Sequence, residues 1–279
     1  MRTLIHVSDL HFGRSDESLM AALIGTWSAL NPDLVVISGD LTQRAEPAEF
    51  EAARSFLTAL TSAGMKYVVV PGNHDIAPLS RPVERIRAGF KNYRAYISEH
   101  TEQFYFDGEV AIACLNTVRR LQPVNGHIRK DQLLRARDWF ERHSEALKIV
   151  VTHHPLRSNP KRIGRLACVR GSHAHKTLSG LDVDMFLSGH YHRAHVERPH
   201  ALDVHAGTVS QRIVREPASF NIIEIDTERI AIHTHYWVEQ ETHFEHKTTV
   251  NVPRKKHKLP TRARIGKRLV HLRDAVRGK

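Results

Sequence analysis

The chain has 279 residues, of which two are cysteine and 41% are hydrophobic, and its formal net charge is +11. Two cysteines exclude a disulfide framework and a cysteine-rich zinc site. No apolar run approaches the ~18 residues of a membrane span, so the composition is that of a globular chain. The N-terminus begins as a strand rather than as an export signal, and we therefore expect a cytoplasmic protein.

Continuous apolar runs alternate with helical patterns along much of the chain. Runs rich in Val, Ile and Leu suit strands buried on both faces, and the segments between them have the spacing of amphipathic helices. In chain order we predict strand 4–8, helix 19–30, strand 34–38, helix 47–60, strand 67–71, helices 83–96 and 131–143, and strands 149–152 and 185–188. This alternation predicts an α/β layered fold.

The alternation of strand and helix patterns ends in the last third of the chain. The runs at 202–205, 220–226, 229–238 and 244–252 read as consecutive strands and predict a second, antiparallel sheet. The segment 157–176 has no clear period and is predicted to be a long basic loop, which is either functional or a solvated surface.

The positive charge is concentrated at the C-terminal end. Residues 253–279 contain eleven Lys or Arg and one Asp, a net charge of +10, which leaves +1 for residues 1–252. The sequence therefore predicts a nearly neutral domain at 1–252 and a basic tail at 253–279. One helical stripe of this tail is apolar among basic residues, which suits an anionic membrane surface. The stripe consists of Ile265, Leu269, Leu272 and Val276.

The tail leaves other roles open. A disordered solubilising segment, a helix docked on the domain and a nucleic-acid arm are the alternatives to membrane association. A nucleic-acid partner is the less favoured, because the charge lies outside the main domain. Membrane association would place the protein peripherally on the inner face of the membrane.

Potential metal ligands follow each of the five buried strands. The segments are Asp9-Leu10-His11, Gly39-Asp40, Gly72-Asn73-His74-Asp75, His153-His154-Pro155 and Gly189-His190-Tyr191-His192. Side chains at the carboxyl ends of strands can converge although they are far apart in the chain. A cage of carboxylate, imidazole and amide groups suits manganese, iron or zinc. We expect each glycine to let the backbone turn sharply so that the next side chain faces the ion.

These motifs, in this order, resemble the calcineurin-like metallophosphoesterase superfamily, whose pattern is D-x-H, G-D, G-N-H-D/E, a lone H and G-H-x-H. The resemblance covers roughly residues 3–210. It implies a four-layer α/β/β/α sandwich of two mixed sheets flanked by helices. It also implies two divalent metal ions (Mn²⁺, Fe²⁺ or Zn²⁺), the first held by Asp9, His11, Asp40 and His192, and the second by Asp40, Asn73, His153 and His190.

The resemblance also implies the chemistry. Two cations bridged by Asp40 would clamp a phosphoryl group and acidify a bound water, so that a metal-bound hydroxide attacks the ester. His74 would stabilise the transition state or protonate the leaving oxygen, and Asp75 would fix its tautomer. Arg14, in a loop beside the first motif, is a candidate substrate contact.

Other histidines leave alternatives open. The family pattern favours His153 over His154 as the ligand and leaves His154 as a support for the site or a substrate contact. His173 and His175 form a further H-x-H pair, but no predicted strand precedes them. The remaining histidines are expected to have no ligand role.

The motifs most resemble the bacterial cyclic-nucleotide phosphodiesterase branch of the superfamily. The run Gly39 to Ala45 lacks the Asp-Arg-Gly signature of the protein phosphatases. The sequence therefore predicts a phosphodiesterase for a small phosphoester. The alternatives are a hydrolase of a nucleotide-lipid pyrophosphate of the UDP-diacylglucosamine type at the membrane surface, a DNA nuclease, and a non-catalytic scaffold.

Overall fold

The computed structural model describes residues 1–157, 168–198, 201–210 and 217–254. In this part of the chain fourteen strands alternate with helices. The strands are β1 (Arg2–Val7), β2 (Leu34–Ile37), β3 (Tyr67–Val69), β4 (Gln103–Phe106), β5 (Val110–Cys114), β6 (Gly126–His127), β7 (Leu147–Val151), β8 (Cys168–Val169), β9 (Met185–Ser188), β10 (His195–Glu197), β11 (Leu202–His205), β12 (Ser219–Ile225), β13 (Arg229–Val238) and β14 (His243–Pro253).

The described helices connect these strands. They are α1 (Glu17–Leu30), α2 (Pro47–Ser62), α3 (Pro82–Ala88), α4 (Lys91–Tyr96), α5 (Lys130–Arg142) and α6 (Gly171–Ser179). Asp16 begins α1, because its side chain accepts a hydrogen bond from the backbone N–H of Leu19. Pro47 begins α2, where a missing N–H costs no helical hydrogen bond.

Two six-stranded sheets form the centre of the molecule. The first has the order β14-β13-β12-β1-β2-β3, and the second has the order β10-β11-β9-β7-β5-β4. In the first, β1, β2 and β3 are parallel and β12 runs antiparallel to β1. In the second, β5, β7, β9 and β11 are parallel, with antiparallel strands at both edges. Both sheets are therefore mixed.

Three buried clusters separate four layers. One cluster lies between the sheets and includes Leu4, Val36 and Ile149. A second packs the outer face of the first sheet, with Ile5 and Val7, against α1 and α2. The third packs the outer face of the second sheet against α5 and α6. Successive residues of β1 alternate between two of these clusters because side chains in a strand point to opposite faces. The predicted α/β/β/α sandwich is confirmed.

Some predicted elements differ in the structure. The late strands β12, β13 and β14 are antiparallel as predicted, but they extend the sheet of β1 rather than form a sheet of their own. The expectation of a separate antiparallel sheet is wrong because β12 pairs with β1 along its length. The predicted helix 83–96 is divided into α3 and α4.

Two predicted regions lie largely outside the described residues. The basic tail is described only to residue 254, where β14 has just ended at Pro253, and the apolar stripe lies beyond it. Of the predicted loop 157–176, the described part contains β8 and the start of α6. Among the described helices, none is long and apolar enough to cross a membrane.

Candidate metal centre

The five predicted motifs meet at one edge of the sandwich. Three of them follow β1, β2 and β3 of the first sheet, and two follow β7 and β9 of the second. Backbone hydrogen bonds hold the segments together, for example from Asp9 N to Gly39 O (2.9 Å) and from Gly189 N to His153 O (3.0 Å). The parallel strands of both sheets thus present their carboxyl ends to the same site.

The first group contains two carboxylates and two imidazoles, all buried. Its four members, Asp9, His11, Asp40 and His192, have ligand atoms within 4.8 Å of one another. His192 Nε2 lies 3.0 Å from Asp9 Oδ1 and 3.3 Å from His11 Nε2. His11 Nε2 lies 3.7 Å from Asp40 Oδ2. These are the residues predicted to share the first ion.

The second group gathers around the side-chain amide of Asn73. Its Oδ1 lies 3.1 Å from His153 Nε2 and 3.0 Å from His190 Nδ1. His153 Nε2 is also 3.4 Å from Asp40 Oδ2. The structure therefore brings together the four residues predicted to share the second ion, and the same oxygen of Asp40 faces both groups.

The donor set fits divalent cations. Ligand atoms ~2.1 Å from one ion are separated from each other by roughly 3 to 3.5 Å, and most of the distances above are of this size. Backbone carbonyls fix two of the imidazoles: Nδ1 of His11 faces Thr42 O at 3.2 Å and Nδ1 of His153 faces Ser38 O at 2.9 Å. Each Nδ1 then carries the proton, which leaves Nε2 for a metal.

The shifted pKa values of the buried Asp40 and His153 also favour a cation at this position. Burial alone would raise the pKa of Asp40, yet the charge of His153, together with His74 and His11, holds that pKa well below its usual range. Burial lowers the pKa of His153, but the charges of Asp40 and Asp9 outweigh it and raise that pKa to about 9. A cation placed at Asp40 would take over the role of this proton, because an imidazole must lose it to bind a metal.

The backbone is strained at the candidate ligands. Five of them have positive φ angles, a region that residues other than glycine seldom adopt and that Asp, Asn and His tolerate best. They are Asp9 (57°), His11 (44°), Asp40 (52°), His190 (70°) and His192 (57°). This concentration of left-handed residues at one site is typical of a functional centre.

The glycines of the motifs are required for two different reasons. Gly39 has the predicted sharp turn, with φ of 99°. At Gly72 and Gly189 the reason is space, because a Cβ would overlap Oδ1 of Asp40 and Oγ of Ser8, respectively. The expected turn was thus the right interpretation for Gly39 only.

The structure corrects the predicted role of Asp75. Its carboxylate accepts hydrogen bonds from the backbone N–H groups of Leu41, Thr42 and Gly72 and from the hydroxyl of Thr42. His74 instead directs Nδ1 to the carbonyl of Gln43, at 2.7 Å. The prediction that Asp75 fixes the His74 tautomer is therefore wrong, because the short side chain of Asp75 is engaged by the loop after β2.

His74 itself lies at the edge of the candidate metal centre. Its backbone N–H donates to Asp40 Oδ1 at 2.7 Å, and its ring centroid is 5.0 Å from that of His11. The ring is partly exposed. Because Nδ1 donates to Gln43, any proton exchanged with a substrate at this residue passes through Nε2.

His154 and Arg14 were the candidate substrate contacts. Nδ1 of His154 lies 2.8 Å from Thr117 Oγ1 and Nε2 lies 2.9 Å from Val124 O. Because both ring nitrogens already bond protein groups, the structure favours support of the site over substrate contact for His154. Arg14 is exposed in the loop after β1, with its backbone N–H bonded to His11 O at 2.7 Å.

The second H-x-H pair has a structural role in the described part of the chain. His175 is buried on α6, stacks on Phe186 and bonds Asp203 Oδ1 at 2.8 Å. It lies outside both groups of candidate ligands. His173, on the same helix, is exposed.

Sequence reasoning missed the contribution of β5 to the site. This strand leads to Thr117, which holds His154. The signal was present as the uninterrupted apolar run 110–115, followed by Asn116 and Thr117. Gln43, which orients His74, acts through its backbone carbonyl and therefore left no signal in its side chain.

The four-layer sandwich and its paired ligand groups define a metallophosphoesterase fold. A family model described as Calcineurin-like phosphoesterase matches residues 2–194, and the chain therefore belongs to this family. The family predicted from the motifs is confirmed.

Curated relatives carry the names of phosphodiesterases. The chain is 27% identical over 213 residues to a cAMP/cGMP dual specificity phosphodiesterase of Mycobacterium tuberculosis, covering 68% of the chain and 61% of that relative. It is 36% identical over 83 residues to the glycerophosphodiester phosphodiesterase GpdQ of Enterobacter lignolyticus, covering 26% of the chain and 29% of that relative. The chain spans less than two thirds of the length of the curated relatives it matches.

A solved structure supports the fold. A dimetal phosphatase from Danio rerio superposes with a TM-score of 0.65 at 12% identity, over 91% of this chain and 99% of that one. At this identity the likeness shows the fold alone. The family match and the names of the relatives together support the prediction of a phosphoester hydrolase.

Proposed function

We propose that the chain hydrolyses a phosphodiester with two divalent cations, and that its substrate is a cyclic nucleotide. The observation that carries the proposal is the position of Asp40, whose Oδ2 lies 3.7 Å from His11 Nε2 and 3.4 Å from His153 Nε2. One carboxylate is thus within reach of ligands from both groups. The phosphodiesterase names of the curated relatives support the substrate.

The candidate ligands would form two sets, one for each cation. Asp9, His11 and His192 would hold one cation, Asn73, His153 and His190 would hold the other, and Asp40 would be a ligand in both sets. Bound cations of this kind (Mn²⁺, Fe²⁺ or Zn²⁺) offset charge on the phosphoryl oxygens and make water more acidic.

His74 would transfer a proton from Nε2 of its protonated ring to the leaving oxygen, while Gln43 O holds the proton on Nδ1. Asp75 keeps the loops that carry Asp40 and Asn73 in place. Arg14, exposed in the loop that follows His11, would contact an anionic substrate from solvent.

Other substrates fit the same centre, because the cations bind only the phosphoryl group. A nucleotide-lipid pyrophosphate at the membrane surface is the second candidate, and the apolar surface described below favours it. A non-catalytic scaffold is less favoured, since each predicted ligand and His74 is present in the described site. A DNA nuclease is less favoured because most of the positive charge lies outside the domain at 1–252.

The basic tail extends this proposal to location. We place the protein in the cytoplasm, with residues 253–279 able to hold it against the anionic inner face of the membrane. Sedimentation with anionic liposomes, comparing the full chain with a truncation after Val252, tests this role. Equal binding by the two would overturn it.

The catalytic proposal is tested by removing and restoring metal. Metal-stripped protein reloaded with Mn²⁺ is offered a chromogenic phosphodiester, the matching monoester and cyclic AMP. We expect hydrolysis of the diester and of cyclic AMP, with a preference for the diester over the monoester. A preference for the monoester would contradict the phosphodiesterase, and activity on neither chromogenic ester would favour a scaffold.

A matched pair of variants ties the activity to Asp40. Asp40→Asn keeps the shape of the side chain but removes the charge shared by the two groups, and we expect about a 10³-fold loss of kcat with loss of bound metal. Asp138→Asn changes a half-exposed carboxylate on α5, remote from the candidate ligands in sequence, and is expected to leave both unchanged. The metal content of each variant is measured on the same samples.

A further inference from the structure

The helix α3 has an inverted distribution of polarity. Its Arg85 is buried, with 2% of its surface exposed, whereas Val83 and Ile86 are 65% and 53% exposed. A helix on the surface of a water-soluble protein normally turns its aliphatic side chains inward and its arginines to solvent. On α3 the guanidinium of Arg85 donates to backbone carbonyls, while the aliphatic side chains face outward.

A second segment with exposed aliphatic side chains lies against α3. In the loop 119–125, Leu121 is 82% exposed and Val124 is also exposed. Arg85 joins the two segments, because its guanidinium donates to Arg119 O, Arg120 O and Ala77 O. Together with Leu79, these segments contain five of the nine exposed large apolar side chains in the described part of the chain.

This apolar surface borders the candidate metal centre. On one side, Ala77 is three residues beyond His74. On the other side, Val124 O bonds His154, whose ring centroid lies 4.5 Å from that of the candidate ligand His190. We call residues 79–88 and 119–125 together the rim patch.

The rim patch is strongly basic. It contains five arginines and one glutamate, a net charge of +4, whereas the whole domain at 1–252 has a net charge of only +1. Arg87 and Arg120 are exposed among the apolar side chains. The patch contains no aromatic residue, so it lacks the stacking groups with which proteins hold single-stranded nucleic acids. Exposed aliphatic and cationic groups together match the chemistry of an anionic lipid surface.

We propose that the rim patch docks the catalytic domain on an anionic phospholipid bilayer, so that the metal centre faces phosphoesters at the headgroup layer. The aliphatic side chains enter the boundary between headgroups and acyl chains, and the exposed Arg87 and Arg120 bind lipid phosphates. The access of the metal centre to phosphoesters of the headgroup layer matters only if the proposed phosphodiesterase function is correct. The docking itself does not require catalysis. This membrane contact belongs to the catalytic domain and is separate from the basic tail.

The test uses the full chain, so that the contribution of the tail is constant. Val83→Ser with Leu121→Ser removes two exposed aliphatic side chains from the patch without changing its charge. Leu30→Ser with Val250→Ser is the matched control, since both residues are exposed aliphatics elsewhere on the surface. Each protein is sedimented with vesicles of phosphatidylglycerol and phosphatidylcholine in equal parts, and with phosphatidylcholine vesicles.

We expect the patch variant to bind the anionic vesicles about tenfold more weakly than the wild type, and the control variant to bind them like the wild type. Equal binding by the two variants, or no binding by the wild type, would overturn the proposal. Thermal unfolding of both variants near the wild-type Tm excludes a folding defect, and the patch variants Leu79→Ser and Ile86→Ser provide an independent repeat.

A soluble chromogenic phosphodiester, assayed without vesicles, separates this proposal from the proposed function. Both double variants should hydrolyse it at the wild-type rate. If neither the wild type nor the variants hydrolyse it while the patch variant still loses vesicle binding, then the proposed phosphodiesterase function is wrong and the proposed docking surface is supported.

Discussion

His74 and Asp75 are neighbours in the chain, but their side chains have different tasks. His74 faces the candidate metal centre with Nδ1 held by Gln43 O, whereas Asp75 is fully buried and bonds the loop after β2. Burial, with the negative charge of Asp40, raises the pKa of Asp75 to about 7 against the effect of its backbone hydrogen bonds. The two residues are therefore expected to respond differently to substitution.

His74→Gln is expected to reduce kcat by about 10²-fold without reducing metal content, because the proton donor is lost while the ligands remain. The loss should be larger for an alkyl leaving group, which requires protonation, than for p-nitrophenolate, which does not. Rates on both kinds of diester and metal analysis measure this. An equal loss for the two leaving groups would argue against proton transfer by His74.

Asp75→Asn is expected to destabilise the fold rather than change the chemistry. An amide would place its NH₂ group against buried N–H donors, and the free energy of unfolding should fall by roughly 2 to 4 kcal/mol. Urea unfolding measures the loss. Asp226→Asn is the control, because Asp226 also accepts two backbone N–H groups, from Glu228 and Arg229, but lies near solvent. A similar small loss in both variants would contradict the explanation.

The residues that meet at the candidate metal centre could be predicted from the sequence, because each follows a recognisable apolar strand. Their supports were not. Ser38, Thr42 and Gln43 act through backbone carbonyls, which every residue type possesses. The role expected for Asp75 was implied by the family resemblance, and nothing in the sequence indicates that its carboxylate instead accepts hydrogen bonds from the backbone N–H groups of Leu41, Thr42 and Gly72.

At the scale of elements, the buried strands β1, β2, β7 and β9 were predicted from continuous apolar runs, whereas β5, with an equally continuous run, was missed. The sheet to which each belongs was not predictable from the runs. β12 looks like the start of a new sheet in the sequence, and only its register against β1, from Arg2 with Ile225 to His6 with Asn221, reveals that it extends the first. The break between α3 and α4 was missed because the helical spacing continues through it.

The space between the sheets also contains a buried histidine. His6 on β1 bonds Ser38 Oγ through Nε2 at 3.0 Å, and burial, with the nearby His205, lowers the pKa of His6 to about 3. The sequence predicted His6 only as a strand residue without a ligand role. Its burial makes the pairing of β1 and β2 sensitive to acid.

The pH dependence follows from the sign of this shift. In the unfolded chain His6 binds a proton below pH ~6.5, whereas in the folded chain it stays neutral down to about 3. The contribution of neutral His6 to the free energy of unfolding is therefore fully present above pH ~6.5 and is lost as the pH decreases towards 3. The slope from His6 is at most about 1.4 kcal/mol per pH unit.

Urea unfolding at several pH values between ~5 and ~7 measures this slope. His6→Gln should show a shallower dependence than the wild type, whereas His100→Gln, at an exposed histidine, should keep the wild-type slope. Equal slopes in all three proteins would show that His6 is protonated in the folded state.

At the scale of the whole molecule, the candidate ligands join the two sheets. Asp9, Asp40 and Asn73 come from loops of the first sheet, and His153, His190 and His192 come from loops of the second. Cations bound here would bind the folded state and not the separated sheets, so they should stabilise the molecule by mass action.

Chelation is therefore expected to lower the Tm of the metal-loaded protein by roughly 5 to 10 °C, as follows from a few kcal/mol of binding free energy in a chain of this size. Differential scanning calorimetry with and without EDTA measures the change. The Tm of Asp40→Asn should not respond to EDTA. A wild-type Tm that is equally insensitive would contradict tight binding of metal.

The left-handed backbone at Asp9, His11, Asp40, His190 and His192 restricts any redesign of the centre. A replacement must coordinate the chosen ion and also tolerate a positive φ angle, which most residue types avoid. Fewer residue types can therefore be used at each position than coordination chemistry alone allows. Glutamate at position 40 would retain the carboxylate and yet fit poorly, whereas asparagine would fit the backbone and lose the charge. An engineer who wishes to change the metal preference should begin at Asn73, which does not have a positive φ angle.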